Sequence, residues 1–315
     1  MKKQPDTKSH QSVLQRLSNG RLEGQSVQNA QTLFVLERFL ARVARSPYRD
    51  QLILKGGILL YLLTRTWNRP TEDLDLLALR IPGESLEQVL REILAIDLGD
   101  RLEFQPDHIT SEEIREDTGY PCRRFTVPFR FGPRYAQVIK LDLSFGDPIT
   151  PGPKLIEFHP MLEDFQGGLV MGYPVETFIA EKVETILVRG LATTRAKDLF
   201  DLWVISRVGS QLRLTAVAEA LRATADYRAG RAGRSDSVLN LEANALQASY
   251  GLDPNLTRIW DSYVRSKRLV VPVHADVVSK VQAFIRPVVS QSLAAGPDAV
   301  WDLAQRRWVT LSRLT

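Results

Sequence analysis

Leu54-Lys55-Gly56-Gly57-Ile58-Leu59-Leu60, followed shortly by Arg69-Pro70-Thr71-Glu72-Asp73-Leu74-Asp75-Leu76, decides the fold of this 315-residue chain. Gln51–Leu54 is a short apolar run that stops at the glycine pair. It predicts a strand that turns into a buried helix over 58–66. The Asp/Leu alternation of Asp73–Leu79 predicts a second strand, with Leu74 and Leu76 on one face and both carboxylates on the other. Two like charges so placed repel, and one pKa rises unless a cation neutralises them. Carboxylate pairs of this kind suit Mg²⁺, which binds one or two of them together with substrate phosphates; Mn²⁺ accepts the same oxygen ligands. Gly56 and Gly57 stand between strand and helix. Bare backbone there can approach a phosphate, and the helix start offers unpaired N–H groups and a positive dipole end. Lys55 and Arg69 add positive charge.

A third carboxylate, Asp142, alternates with Leu141 and Leu143 in Val138–Ser144. If that strand lies beside Asp73–Leu79, Asp142 completes a cluster. Three carboxylates can hold two metals about 3.5–4 Å apart, the clamp for in-line phosphoryl transfer.

Further out, residues 26–46 carry Leu33, Leu36, Phe39, Leu40 and Val43 at helical spacing. Ser85 is a candidate cap for a helix over 86–96, with Gln88 at the capping-box position. Residues 121–131 and 135–145 read as a hairpin around Gly132-Pro133-Arg134, and Pro128 marks the first strand as an edge strand. Residues 146–174 read as a linker. Beyond it, helices are predicted over 175–190, 196–207, 213–225, 236–249, 255–267, 273–289 and 297–305. Tyr227–Arg234 reads as an exposed basic loop. The fold class is therefore α+β: a mixed sheet with flanking helices, followed by a helical domain. The expected boundaries are a polar tail over 1–25, an α/β domain over 26–165 and an α-helical domain over 166–315.

Bulk composition bounds the function. A hydrophobic fraction of 44% and a charged fraction of 25% are those of a soluble globular protein. No apolar run reaches the roughly 18 residues of a membrane helix, and the basic start has no apolar core of a secretory signal behind it. The expected compartment is the cytoplasm, with no membrane partner. A single cysteine, Cys122, excludes a disulfide framework and a Cys-rich zinc site. The net charge of +4 is compatible with a nucleic-acid partner without demanding one.

These motifs resemble those of the AbiEii/AbiGii toxin family, nucleotidyltransferase-like toxins of type IV toxin–antitoxin and abortive-infection systems. The family includes the MenT group and belongs to the polymerase-beta-type superfamily. Leu54–Leu60 and Arg69–Leu76 resemble its first motif. Pro174–Leu187, with Ala180-Glu181-Lys182, and Arg195-Ala196-Lys197-Asp198-Leu199-Phe200-Asp201-Leu202 resemble two of its helices. The sequence departs from the family at Ile58, where many members carry a small polar residue.

The resemblance implies a nucleotidyltransferase-type sheet and a residue-by-residue site. Gly56 and Gly57, with Lys55, Arg69 and Arg195, would bind the nucleotide. Asp73, Asp75 and Asp142 would bind metal. Lys182 would contact the triphosphate or the leaving pyrophosphate, and Asp198 would orient it. Spacing agrees in part: Lys182 and Arg189, and likewise Asp198 and Asp201, share helix faces, although a structural Lys182–Asp198 ion pair would read the same way. The implied reaction is NMP transfer from an NTP to RNA, at the 3′ end of a tRNA, blocking translation and growth. A cognate antitoxin is the implied partner. Arg123, Arg124, Arg130, Lys140, Arg228, Arg231 and Arg234 are candidate RNA contacts. The alternatives are a small-molecule or protein acceptor, or a nucleotide-binding module without catalysis.

Overall fold

The computed structural model describes residues 9–19, 26–66, 69–115, 121–132, 136–209, 211–233 and 238–311. In chain order its elements are α1 (His10–Asn19), α2 (Val27–Arg45), β1 (Leu52–Lys55), α3 (Gly56–Thr64), β2 (Asp73–Ala78), α4 (Leu86–Leu94), β3 (Leu102–Phe104), β4 (Thr110–Arg115), β5 (Pro121–Phe131), β6 (Ala136–Phe145), β7 (Lys154–Phe158), β8 (Gly168–Gly172), α5 (Val175–Arg189), α6 (Ala196–Val208), α7 (Leu214–Arg231), α8 (Pro254–Lys267), α9 (His274–Leu293), β9 (Ala299–Asp302) and β10 (Arg307–Thr310). They fall into two compact units. The first comprises Met1–Leu62, Arg69–Gly146 and Lys154–Gly172; the second comprises Leu63–Asn68, Asp147–Pro153 and Tyr173–Thr315.

The first unit is a mixed sheet in the order β3-β5-β6-β2-β1-β8-β7, with β4 also paired to β5. β1 runs antiparallel to β2, β2 parallel to β6, and β6 antiparallel to β5. Helix α2 starts where the Ser26 hydroxyl accepts a hydrogen bond from the Asn29 amide. It buries the predicted stripe Leu33, Leu36, Phe39, Leu40 and Val43 and packs on β6, β8 and α4. Leu74, Leu76, Leu141 and Leu143 point into the core and leave the acidic residues between them on the opposite face.

Several expectations are corrected here. The stretch read as a linker contains β7 and β8, and β8 pairs in parallel with β1 at Leu54–Gly172. Its glycines serve close packing: a Cβ on Gly172 would meet Ile156 Cδ1 at 2.4 Å, and one on Gly168 would meet Ala44 Cβ at 2.7 Å. Strand β5 is not an edge. Its outer side is shared by β4, opposite Pro121–Thr126, and β3, opposite Phe129–Phe131. Pro128 falls in the gap between them, where the ladder needs no N–H, and its carbonyl accepts from the Gln105 amide. Ser85 makes no side-chain cap, and Gln88 instead reaches Glu92 at 2.9 Å. Within the polar start, α1 buries Val13 and Leu17, one turn apart, and Arg16 pairs with Asp164 at 2.6 Å.

The second unit is mainly helical. Helices α5, α6, α7 and α9 pack on one another, and α8 packs on α6 and α9. The predicted helix over 236–249 is absent among the described residues. Short turns at Asn244–Leu246 and Ala248–Leu252 stand there, because Asn240 bonds the Glu242 amide at 2.8 Å and competes with helix. The predicted helix over 297–305 is a hairpin, β9–β10. Trp301 and Trp308 both pack on Phe284, with ring centroids 4.7 and 5.7 Å away. The stretch read as a basic loop continues α7 to Arg231; Pro133, Arg134 and Arg234 lie outside the described residues.

Candidate active site

The first cluster of functional side chains belongs to the sheet unit. Strand β1 ends at Lys55, whose register partner on β2 is Asp75. The chain then enters α3 through Gly56 at a φ of +67°, a left-handed conformation that only glycine adopts without strain. The close approach also excludes a side chain: a Cβ on Gly56 would lie 1.8 Å from Asp75 Oδ2. A Cβ on Gly57 would lie 2.0 Å from the Thr71 hydroxyl and 3.3 Å from an Arg69 terminal nitrogen. The glycine pair is therefore the space that lets the start of α3 press against Asp75 and Thr71. Arg69 reaches the Thr71 hydroxyl at 3.4 Å, and Lys55 Nζ reaches the Ser144 hydroxyl at 3.4 Å.

The parallel pairing of β2 with β6 puts Asp75 opposite Asp142, and the β5–β6 hairpin puts Arg124 opposite Asp142. Arg124 forks that carboxylate: Nε donates to Oδ1 at 2.8 Å and a terminal nitrogen to Oδ2 at 2.7 Å. The same terminal nitrogen lies 3.7 Å from Asp73 Oδ2. The hydrogen bond to Asp142 comes first among the causes that hold the Arg124 proton more tightly than usual. Desolvation opposes it, and the charges of Asp142, Asp73 and Glu112 add to it.

The second cluster belongs to the helical unit. Lys182, on α5, lies 3.0 Å from Asp198 Oδ1 and 2.7 Å from Asp201 Oδ2, and its ammonium stands over the Phe178 ring. Arg195 Nε donates to Asp198 Oδ2 at 2.7 Å. Asp198 and Asp201 are buried. Burial alone would raise the Asp198 pKa, yet Lys182, Arg195 and Lys197 outweigh it and hold the carboxyl well below the usual carboxylate range.

Residues 38–276 match the family model described as nucleotidyl transferase AbiEii toxin, type IV TA system. The chain belongs to the AbiEii family. Solved structures agree on the fold. MenT4, a nucleotidyltransferase toxin from Mycobacterium tuberculosis H37Rv, is 19% identical, with a TM-score of 0.55, 90% of this chain covered and 97% of that one. A candidate nucleotidyltransferase from Helicobacter pylori is 17% identical, with a TM-score of 0.50 over 86% of this chain and 99% of that one. No curated protein matches the sequence. Membership of a type IV toxin family brings with it an NTP substrate and an antitoxin partner as properties of the family. Among the described residues, no helix is long and apolar enough to cross a membrane.

Of the residues singled out in this AbiEii chain, Lys55, Gly56, Gly57, Arg69, Asp73, Asp75 and Asp142 all lie in the sheet unit. Lys182, Arg195 and Asp198 come together in the helical unit. Sequence reasoning named Arg124 only as a candidate RNA contact and did not give it to Asp142. The sequence holds a signal for the pair, since both residues lie nine positions from Pro133, the centre of the expected hairpin. Arg228, another candidate RNA contact, is buried and pairs with Glu184 at 2.6 Å. Arg130, Lys140 and Arg231 are exposed.

A divalent cation fits part of the acidic set. Asp73 and Asp75 point from the same face of β2 and are neither buried nor fully exposed. Asp142 fits less well, because both its oxygens are engaged by Arg124. Among the described residues, no group of three or more His, Cys, Asp or Glu side chains is gathered so as to hold a metal ion.

Proposed function

We propose that this AbiEii-family protein transfers a nucleoside monophosphate from an NTP to the 3′ end of an RNA, the tRNA acceptor end, and thereby blocks translation. The observation that carries the reading is the abutment of the Gly56-Gly57 start of α3 on the Asp75 carboxylate. It joins a backbone phosphate cradle to a same-face carboxylate pair, with no side chain between them.

In this reading the amides at Gly56 and Gly57 bind the phosphate chain, and Lys55 and Arg69 supply charge beside it. Asp73 and Asp75 would hold a Mg²⁺ (or Mn²⁺) ion, which would supply positive charge beside the phosphates. Asp142, in register with Asp75, aligns the acceptor hydroxyl. The hydroxyl oxygen forms a bond to the α-phosphorus as the bridging α–β P–O bond breaks. Pyrophosphate departs with that electron pair, and the hydroxyl proton passes to solvent. The protein mainly positions and neutralises, as phosphoryl-type transfer requires. Lys182, paired with Asp198 and Asp201, is carried over from the family resemblance as a contact of the triphosphate or its leaving group.

Incubation of the purified protein with total tRNA, Mg²⁺ and each α-labelled NTP in turn tests the reading. The expected result is label on tRNA that disappears with Asp75→Ala. Label on a small molecule or a protein would change the acceptor. Nucleotide binding without any labelled product would leave a binding module.

A further inference from the structure

Asp75, Asp142, Arg124 and Glu112 form a continuous row across β2, β6, β5 and β4, each directly opposite the next. Directly opposed residues on one face of a sheet have Cβ atoms about 4.5–5.5 Å apart. The guanidinium thus stands inside the acidic set, with both Asp142 oxygens in a bidentate fork and Asp73 Oδ2 at 3.7 Å. Arginine keeps its proton at any physiological pH, and its planar fork matches a carboxylate better than any other side chain. The pair is also sheltered: the side chains are 26% exposed for Arg124 and 13% for Asp142. A divalent ion on Asp142 would have to break this fork and leave a fixed positive charge beside it.

We infer that Arg124 is a resident cation that takes the place of a second metal ion at Asp142, so that the site holds one divalent ion, on Asp73 and Asp75. The inference rests on the transferase reading above and adds the ion count and the role of Arg124. Asp142 then acts as a carboxylate of fixed position and fixed neutralisation, independent of the metal concentration. Arg124 is a positioning residue, since it acts through Asp142. Glu112, at the outer end of the row, is exposed and serves as the control position.

Titration of the nucleotide-free protein with Mn²⁺, with free ion followed by electron paramagnetic resonance, tests this. The wild type should bind one ion per chain. That ion should be lost in D73N and D75N and kept in D142N and E112Q. R124M should bind two ions, and R124M/D142N one. A readout without metal runs beside it: in EDTA, R124M should melt lower than the wild type, and adding D142N should restore the melting temperature. Two ions in the wild type, or a D142N variant that loses its ion as D75N does, would overturn the inference. So would an R124M variant that still binds one. Should R124M not fold, the Mn²⁺ count of D142N decides alone. Failure of the transferase reading looks different: one ion bound and moved by Arg124 as described, with no nucleotide transferred to any acceptor.

Discussion

Gly56 carries two independent demands, a φ of +67° and a neighbour that leaves no room for a Cβ. Gly56→Ala should therefore cost about 1–3 kcal/mol, the range for a strained backbone position, and should abolish transfer by pushing Asp75 aside. Urea unfolding and the labelling assay check both, and a variant as stable and active as the wild type would remove the close approach from the argument. Asp198 carries a different demand. Its carboxyl is held below its unfolded value, so its contribution is fully present above about pH 4 and is lost as the pH falls toward the folded value. Removing one partner of a buried ion pair costs about 3–5 kcal/mol. Asp198→Asn should show a loss of that order near neutral pH and a flatter acid limb in a pH series of denaturant midpoints. A wild-type acid limb would show that Asp198 does not carry the linkage.

At the scale of elements, local pattern served where one face is buried and the other wet. The Asp/Leu alternation of β2 and the apolar stripe of α2 were legible for that reason. It failed where neighbours overrode it. Gly168 and Gly172 look like breakers, yet they sit in a paired strand because Ala44 and Ile156 press on them. The sequence predicts helix over 297–305, although Ala299 and Trp301 alternate as a strand does. The Trp301 indole N–H donates to the Ser206 carbonyl at 2.9 Å, and its ring packs edge-on to Phe284. Trp301→Ala should thus cost about 3–5 kcal/mol, the usual figure for truncating a buried aromatic. Thermal unfolding measures it, and a change of a few tenths would show that the hairpin is peripheral to the helical unit.

At the scale of the molecule, the proposed metal ion would serve the chemistry and not the fold. The sheet unit is held by buried aliphatic and aromatic residues, and Arg124 already neutralises part of the acidic set. EDTA should stop nucleotide transfer while leaving the far-ultraviolet circular dichroism and the melting temperature of the wild type unchanged. Turnover in EDTA would remove the cation from the mechanism, and unfolding in EDTA would make it structural.

The family is legible in the sequence as a resemblance of four motif blocks, and the sequence by itself also determined the α+β class, the glycine pair at a strand-to-helix turn and the same-face placement of Asp73 and Asp75; the last three have a local physical cause. Those three depend on residues close in the chain, where the periods of strand and helix dictate which side chains share a face. Only the tertiary structure decided that β2 lies parallel to β6 with Asp75 opposite Asp142, and that β8 closes onto β1. Those facts are pairings between strands many residues apart. Their register is set by packing against a shared core, and no local pattern records it.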